Sequence, residues 1–342
     1  SINLPDWINF AKIRGSFAEV GNDLPRYQAH LYPQLSIGGN IEQVTNYNDG
    51  TLKPELTDSW EVGGEFKFLH NRIDLDFTWY QTMTRNQFLI VPMKPGSTYT
   101  NQMINAGKIS NKGFELTIGG VPVQNENFYW RTQVNFATNK NEVKELTDTY
   151  KEYNYGQDGL NMAYRMKVKE GGSLGDLYGK GFSRDDNGKI QYDDDGLPTL
   201  TANRDDVYLG NSNPDCTLGW SNTFSFYGVN ISFLIDGSFG GKVLSFTQGQ
   251  LDQYGVSKNI GEAMDRGYVE LEGKQIKDVQ VFYGRVGNID GCSEYYVYDR
   301  TNIRLRELSI GYNLPQAWIE KTKVFKSINL ALVARNLFFI YK

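Results

Sequence analysis

Two neighbouring stretches decide the fold: Trp60-Glu61-Val62-Gly63-Gly64-Glu65-Phe66-Lys67-Phe68 and Ile73-Asp74-Leu75-Asp76-Phe77-Thr78-Trp79. Both alternate apolar and polar residues, and only residues 69–72 separate them. Because side chains on a β-strand alternate between two faces, this pattern predicts a hairpin with one apolar and one charged face. Such strands fit either a large soluble sandwich or a membrane wall with lipid outside and water inside.

The composition narrows the class of protein. The chain has 342 residues, a formal net charge of -5 and a pI near 5.3. This acidic balance gives no indication of a basic surface that would bind nucleic acid. Aromatic residues make up 14% of the chain, a share typical of β-rich proteins. The mean hydropathy of -0.50 is compatible with a transmembrane barrel, since lipid-facing and lumen-facing residues alternate and no long apolar run is needed.

The alternation continues along the chain. Seven further strands are predicted at about residues 7–20, 107–120, 128–139, 214–226, 229–237, 301–313 and 327–338, which makes nine with the hairpin. Long connections cover residues 21–54, 91–106, 140–213 and 238–300, and short ones cover 69–72, 121–127, 227–228 and 314–326. In an up-and-down antiparallel wall this puts all long loops at one end, the pattern of outer-membrane barrels.

The loops carry weaker signals. Residues 165–169 and 177–182 are candidate extra strands, which would have to join the wall in pairs to preserve the alternation. Residues 315–320 could form a helical turn with Pro315 at its first position. We find no internal repeat of fixed period, which argues against a parallel β-helix or a propeller.

The topology assigns the two faces of the hairpin. The residues expected to face lipid are Trp60, Val62, Phe66, Phe68, Ile73, Leu75, Phe77 and Trp79. The residues expected to face the lumen are Glu61, Glu65, Lys67, Asp74 and Asp76, joined by Arg131 on a later strand. The aromatic residues expected to form a girdle at the short-turn end are Phe128 to Trp130, Tyr227 and Tyr312.

One strand conflicts with this assignment. If Leu308 and Ile310 face lipid, strict alternation also turns Arg304 and Arg306 outward. A basic residue costs about 2–4 kcal/mol at mid-membrane but little near the interface. We therefore expect these arginines at or above the outer interface, or re-aimed by a β-bulge.

Several segments together resemble a known family. Residues 52–63, read as Leu52-Lys53-Pro54-Glu55-Leu56-Thr57-Asp58-Ser59-Trp60-Glu61-Val62-Gly63, resemble the LxPExTxSxExG signature of SusC-like (SusC/RagA) TonB-dependent transporters. Residues 105–115 are similar to the NxGxIxNKGxE strand of that family. Further matches, in the order of the family, are residues 210–215, 236–241, 298–315 and 334–337.

The resemblance implies a multi-pass β-barrel in the outer membrane of a Gram-negative bacterium. It implies 22 strands with a lumen closed by a plug, of which residues 1–342 would be a C-terminal portion without the plug, the N-terminal strands and the last strands. The implied partners are a SusD-like surface lipoprotein, the TonB-ExbB-ExbD complex that supplies energy, outer-membrane lipid, and an oligosaccharide or peptide cargo.

No residue is assigned a catalytic, cofactor-binding or metal-binding role. The lumenal charged residues are more simply interpreted as a hydrated wall than as contacts for a cargo. Asp74 and Asp76 lie on the same face and are interpreted as part of its polar surface and not as a catalytic pair. Residues 185–188 and 193–196 resemble calcium loops without meeting the EF-hand template, so the sequence favours turns here and calcium in an extracellular loop is the alternative hypothesis. Cys216 and Cys292 both fall near the long-loop end, where a disulfide is conceivable.

Loop aromatics provide the remaining candidates for cargo contacts. They could stack on sugar rings or contact a lid, and they are Tyr99, Tyr150, Tyr153, Tyr155 and Tyr254. Three functions stay open from the sequence: active import through an outer-membrane barrel without enzymatic chemistry, a secreted carbohydrate-binding or carbohydrate-cleaving β-sandwich, and a passive porin-like channel.

Overall fold

The computed structural model describes residues 5–24, 34–35, 38–39, 41–42, 46–48, 50–93, 96–105, 107–147, 151–155, 164–204 and 206–342. Its main feature is one antiparallel sheet of nine strands that pair in chain order, called the wall below. The strands are β1 (Ile8–Asn22), β2 (Glu55–Phe68), β3 (Ile73–Arg85), β4 (Lys108–Gln124), β5 (Phe128–Glu145), β6 (Cys216–Phe226), β7 (Val229–Phe239), β8 (Asn302–Asn313) and β9 (Asn329–Tyr341). All nine predicted strands are confirmed.

The connections alternate in length as predicted. Short connections cover residues 69–72, 125–127, 227–228 and 314–328, and long ones cover 23–54, 86–107, 146–215 and 240–301. The tightest turn has positive φ at both Tyr227 (47°) and Gly228 (84°), the geometry that lets a two-residue hairpin follow the twist of its strands. All long loops therefore leave the wall at the same end, the long-loop end, opposite the short-turn end.

The apolar face of the wall has no protein partner in the part of the chain that the structure describes. Ile13 is 79% exposed, Leu332 is 81% exposed and Trp60 is 56% exposed on it. A sandwich would cover this face with a second sheet, and none of the described strands does so. The sandwich hypothesis is therefore wrong, and the fold is an open segment of an antiparallel barrel wall.

The extra strands in the loops exist but do not extend the wall. Tyr164–Lys169 and Asp176–Gly179 pair with Glu152–Tyr155 and Val207–Asn211 in a separate four-stranded sheet. The expectation that they would join the wall is wrong, because their partners are other loop segments. Smaller loop sheets are formed by Gln34–Leu35 with Ile41–Glu42, Asn46–Tyr47 with Asn101–Asn105 and Phe88–Pro92, Lys242–Leu244 with Val297–Asp299, and Val269–Leu271 with Lys274–Ile276.

Four short α-helices and two 3-10 helices, Glu294–Tyr296 and Glu320–Thr322, complete the described structure. Three α-helices lie in the last long loop, α1 (Phe246–Gln253), α2 (Lys258–Arg266) and α3 (Val279–Val286), and α4 (Gln316–Ile319) lies in the last short connection. Each α-helix of the long loop has a polar N-cap residue whose side chain accepts a hydrogen bond from a backbone amide of the first turn. These residues are Ser245, Ser257 and Asp278. None of the described helices is long and apolar enough to cross a bilayer.

Two details differ from the sequence predictions. Pro315 is the cap of α4 and not its first residue. A local repeat of eight residues, which we did not predict, joins three loop segments through a ring of backbone hydrogen bonds. Ser183 donates to Thr199 (2.9 Å), Thr199 donates to Gln191 (3.0 Å), and Gln191 donates to Ser183 (2.8 Å).

The last two long loops share a hydrophobic core, and together they form what we call the loop body (the described parts of residues 146–215 and 240–301). Its fully buried side chains include Ile260, Phe282, Val286, Cys292 and Tyr296. A salt-bridged Arg184 binds Glu272 (2.8 Å) and Glu294 (3.0 Å) and so joins the two loops. The loop body thus folds around its own core at the long-loop end of the wall.

Candidate functional site

The lumenal face of the wall is lined by charged pairs that bridge three strands. Arg14 on β1 reaches across β2 to Asp76 on β3, with Nη2 2.7 Å from Oδ1, and it also donates to the Thr78 hydroxyl. Gly63 is the residue of β2 under this bridge, and a Cβ there would lie 2.9 Å from the Arg14 Nε and 2.6 Å from the Phe77 carbonyl oxygen. Glycine leaves the space that the guanidinium occupies.

The same arrangement recurs on the next strands. Arg131 on β5 reaches across β4 to Asp74 on β3, with Nη2 2.8 Å from Oδ1. The residue under this bridge is Gly119, where an added Cβ would clash with the Asp74 carboxylate. A third bridge is uncharged, because the Tyr80 hydroxyl donates to the Asn139 Oδ1 at 3.1 Å across Gly113.

A β-bulge resolves the conflict over the arginines of β8. The register between β7 and β8 pairs Leu234 with Glu307 but Ile235 with Leu305, so Arg306 has no partner on β7. Arg304 then lies opposite Asp236, and its Nε is 2.6 Å from the Asp236 Oδ1. Of the two expectations, the re-aiming bulge is confirmed for Arg304, which faces the lumen.

Arg306 stays close to the same group. Its Nε is 4.0 Å from the Asp236 Oδ2, and its Nη1 donates to the Asn336 side chain of β9 at 3.2 Å. Asn336 has φ of 52° at a register shift between β8 and β9. Both arginines of this strand therefore have polar partners within the wall, and neither is left unpaired in a lipid environment.

Between the charged bridges lies a row of uncharged polar groups. The Thr117 hydroxyl (2.9 Å) and the Gln133 amide (3.1 Å) both donate to the Asn135 Oδ1. This row opens into a recess of about 610 Å³ whose lining includes Asn135, Asp236 and Arg304. A second recess of about 500 Å³, lined in part by Glu65, Asp74 and Arg131, lies toward the short-turn end. The surface offers hydroxyl, amide and paired ionic groups to a polar molecule.

Two indoles on the opposite face have hydrogen-bond acceptors within the wall. The Trp130 indole donates to the Asn222 Oδ1 and the Trp220 indole donates to the Thr132 hydroxyl, both at 3.0 Å. An indole N–H usually needs water or a headgroup as its acceptor, which keeps Trp near membrane interfaces. Here the wall supplies the acceptors, so these two indoles are satisfied within the apolar surface.

The girdle aromatics lie at the short-turn end as expected. Phe128 is paired with Phe226, and Tyr312 is paired with Val229, immediately beside the turns. Tyr227 in the turn itself is 77% exposed. A further ring pair, Trp7 and Phe68 at 5.8 Å between centroids, continues the row to the first two strands.

The predicted lumenal residues are only partly brought together. Asp74, Asp76 and Arg131 join the bridges described above, whereas Glu65 makes a longer contact with Lys67 (3.6 Å). Sequence reasoning missed Arg14, because its partner lies two strands away and only the register reveals it. The glycines under the bridges were a usable signal, since Gly63, Gly113 and Gly119 all interrupt otherwise regular alternation.

The cysteines do not form a disulfide. Cys216 begins β6 and Cys292 lies fully buried in the core of the loop body, and both are free thiols. Burial raises the pKa of the Cys292 thiol to about 12, so the group is an inert core side chain at neutral pH.

The two Asp-rich segments form a pair of similar turns. The Asp185 Oδ1 accepts the amides of Asn187 and Lys189, and the Asp193 Oδ1 accepts those of Asp195 and Leu197. Among the described residues no group of three or more His, Cys, Asp or Glu could hold a metal ion. The calcium hypothesis stays a prediction.

The loop tyrosines have different surroundings. Tyr254 is 72% exposed, and Tyr99 is 37% exposed and packs against Tyr47. Tyr153 is 6% exposed in a small core with Val143 and Val168, so it is unavailable to cargo in this conformation. Tyr150 lies outside the described residues, and so does the side chain of Tyr155.

Comparisons with known proteins agree with this architecture. TonB-dependent receptor P3 of Formosa agariphila is 25% identical over 313 residues, which cover 86% of this chain and 30% of that protein. TonB-dependent receptor SusC of Bacteroides thetaiotaomicron is 25% identical over 343 residues, covering 94% of this chain and 33% of that protein. The chain thus spans about a third of the length of these curated relatives.

A solved structure shows the same fold. One chain of the RagAB peptide importer in its closed-closed state superposes with a TM-score of 0.72 at 17% identity, covering 99% of this chain and 38% of that one. The family model described as TonB dependent receptor-like, beta-barrel, matches residues 4–231. Together with the wall and its polar inner face, this match shows that the chain belongs to the TonB-dependent receptor β-barrel family.

Proposed function

We propose that this protein imports a polar cargo, an oligosaccharide or a peptide, across the outer membrane of a Gram-negative bacterium as the barrel part of a SusC-like transporter. The observation that carries the proposal is the two-faced wall. Its outer face is apolar and uncovered, while its inner face holds bridged ionic pairs and a row of amides and hydroxyls. Residues 1–342 form part of one barrel domain in this proposal, and the domain has no catalytic chemistry of its own.

The proposed partners are those that the resemblance to SusC-like transporters implies. A SusD-like lipoprotein would cover the long-loop end, and the TonB-ExbB-ExbD complex would supply energy from the inner membrane. At an open sheet edge in hydrocarbon, each backbone N–H or C=O group without a hydrogen bond raises the free energy by several kcal/mol. Further strands of the complete protein would therefore pair with β1 and β9 and close the barrel.

The cargo class is suggested by the lumenal chemistry. The carboxylates of Asp74, Asp76 and Asp236 are already neutralised by arginines, so they attract free cations only weakly. The amide and hydroxyl row can donate to and accept from the hydroxyls of a sugar or the backbone of a peptide. Both cargo classes fit this surface.

The test is uptake by intact cells. A labelled oligosaccharide mixture and a labelled peptide mixture are offered to cells with and without the gene, and again after TonB is removed or the proton gradient is dissipated. We expect uptake of one mixture to be lost in all three cases. Uptake that depends on the gene but continues without TonB and without the gradient would contradict active import and favour the passive channel.

A further inference from the structure

A row of cationic and amide side chains crosses the outer face of the wall near the long-loop end. The register places Gln81 of β3 opposite Lys112 of β4, and Lys112 opposite Lys140 of β5. All three share the face of the apolar residues, because Lys112 precedes Phe114 by two positions without a register shift. This row faces the surroundings of the wall and not its lumen.

The row lies at a defined depth relative to the apolar surface. The level below it on β3 and β4 carries Trp79 and Phe114, and the next level down carries Phe77, Leu116 and Phe136. Successive levels on one face are about 7 Å apart along the strands. A Trp-bearing level is typical of the boundary between hydrocarbon and headgroups, so the two lysines lie where headgroups begin.

The two lysines lack a counter-ion of their own. Like charges directly opposite each other destabilise a sheet, and neither ammonium has an ion pair with a carboxylate in the part of the chain that the structure describes. One acidic group on this face, Glu142, binds Lys144 through Oε1 at 2.6 Å and also attracts Lys140 and Lys112 electrostatically, so a single carboxylate faces three lysines. Positive charge therefore remains at this level.

A second charged group on the same face is different. Arg85 of β3 binds Glu19 of β1 at 3.1 Å and Asp58 of β2 at 2.8 Å, so its charge is satisfied within the wall. Lys112 and Lys140 stand out by comparison, since both side chains are exposed and neither has such a partner among the described residues.

We propose that Lys112 and Lys140 bind the phosphate of a lipid headgroup in the outer leaflet, with Gln81 as an additional donor and Phe114 and Phe136 beneath the acyl chains. Two ammonium groups on adjacent strands can bind oxygens of one phosphate, which removes their mutual repulsion. The aromatic side chains of Trp79 and Phe114 in the level directly below favour an amphiphile over a free anion. This inference rests on the proposed location in the outer membrane, but not on the import activity.

The test uses the full-length protein, purified from outer membranes in a non-ionic detergent. Binding of bis-phosphorylated lipid A is measured by native mass spectrometry, beside the same lipid after removal of its phosphates and beside inorganic phosphate. We expect selective binding of the phosphorylated lipid, weakened about tenfold or more in the K112Q/K140Q variant. The K112R/K140R variant should retain binding, because it keeps both charges.

A matched control removes two lysines from the loop body. The K258Q/K277Q variant loses the same net charge at exposed positions of the loop body, and its lipid affinity should equal that of the unmodified protein. Correct folding of each variant is checked by the shift in gel mobility between unboiled and boiled samples. Equal affinity of folded K112Q/K140Q, equal binding of the dephosphorylated lipid, or equally tight binding of inorganic phosphate would each overturn the proposal.

The result is separable from the proposed import function. Lipid binding is measured without cargo or TonB, so a protein that proves to be a passive channel can still confirm the phosphate site. Conversely, if cargo uptake depends on TonB while lipid affinity is unaffected in K112Q/K140Q, the phosphate site fails and the import proposal stands.

Discussion

The wall and the loop body solve the same folding problem for two different solvents. The wall is one layer thick, and large apolar side chains such as Ile13 (79% exposed) and Leu332 (81%) have no protein partner among the described residues. The loop body buries its apolar residues in a shared core, where Phe282, Val286 and Tyr296 are 0% exposed. The first arrangement is stable only if lipid covers the outer face, whereas the second needs water around it.

The two regions are therefore stabilised by different interactions. Hydrogen bonds between neighbouring strands hold the wall together, its interior face adds paired charges, and in the proposed location a bilayer covers its outer face. The loop body depends on close packing, so it should respond to lost volume in the way soluble proteins do. The predictions below test this division, in order of decreasing expected effect.

The largest effect is expected from Phe282→Ala in α3. Phe282 is fully buried and contacts the rings of Tyr283 and Tyr295, with centroids 5.2 and 5.5 Å away. Its truncation should destabilise the loop body by about 3–5 kcal/mol. Hydrogen exchange of amides in residues 240–301 of the full-length protein would measure the loss.

The matched control is Phe17→Ala on the outer face of β1. Phe17 is 56% exposed and contacts one ring, that of Trp60. In detergent or lipid its truncation should change stability much less than the change in α3. Equal effects of the two substitutions would contradict the separation of the molecule into a lipid-covered wall and a packed body.

The second prediction compares adjacent positions of β5. Val134 faces outward and Gln133 faces the lumen, as their partners Trp220 and Ser221 show. Val134→Lys should destabilise the wall by about 2–4 kcal/mol, since it places a charge in hydrocarbon. Gln133→Lys should have little effect because the lumen is hydrated. The midpoint temperature at which the compact gel band is lost measures both, and a reversed order would invert the assignment of the faces.

The third prediction concerns the space under the bridge between Arg14 and Asp76. Gly63→Ala should destabilise the wall by about 1–3 kcal/mol, because the new methyl group would lie 2.6 Å from a backbone oxygen and must displace it. Gly15→Ala is the control, since the nearest atom to its Cβ is 3.9 Å away. The same gel assay applies, and an unaffected Gly63→Ala variant would show that the bridge needs no such space.

The smallest effect is a pH dependence of the loop body. The Arg285 guanidinium, 2.6 Å from the Asp193 carboxylate, and the amide of Leu197 hold the pKa of Asp193 below its usual range. A lowered pKa in the folded state means that this contribution is present above the unfolded pKa and is lost as the pH falls through the folded value.

Arg285→Gln should therefore destabilise the loop body at pH 7, with a difference from the unmodified protein that shrinks below about pH 4. Hydrogen exchange or near-UV circular dichroism of the full-length protein across this range would follow it. Lys258→Gln removes an exposed helix pair and serves as the control without a pH dependence of this kind. A difference that stays constant down to pH 3 would contradict the assigned role of Asp193.

The sequence predicted the wall well because lipid and water impose a period of two on every strand. The predicted end of β3 came too early, at the point where the regular apolar alternation of the sequence stops. β3 was expected to end at Trp79 and continues to Arg85, because Gln81 and Arg85 interrupt the apolar face while the hydrogen-bond ladder goes on. Apolar alternation thus reports the lipid-covered part of a strand and not its full length.

The loop body could not be predicted in the same way. α1 buries only Gly249 and Asp252, so it has no apolar stripe that a sequence pattern could reveal. Its core is assembled from segments far apart in sequence, such as Phe182 and Phe282. The pairing of Arg14 with Asp76 in the candidate site could not be predicted either, because it follows from the register of three strands, which the sequence pattern does not specify.

The bridges across glycine have a mechanical consequence. Backbone ladders join each strand only to its direct neighbours, whereas Arg14 and Asp76 tie β1 to β3 and Arg131 and Asp74 tie β3 to β5. A strand that slides by one residue would break such a tie, because its side chain would turn to the opposite face. The side-chain ties therefore resist the sliding of one strand along another. β3 takes part in both ties, so it fixes the register of the strands on either side of it.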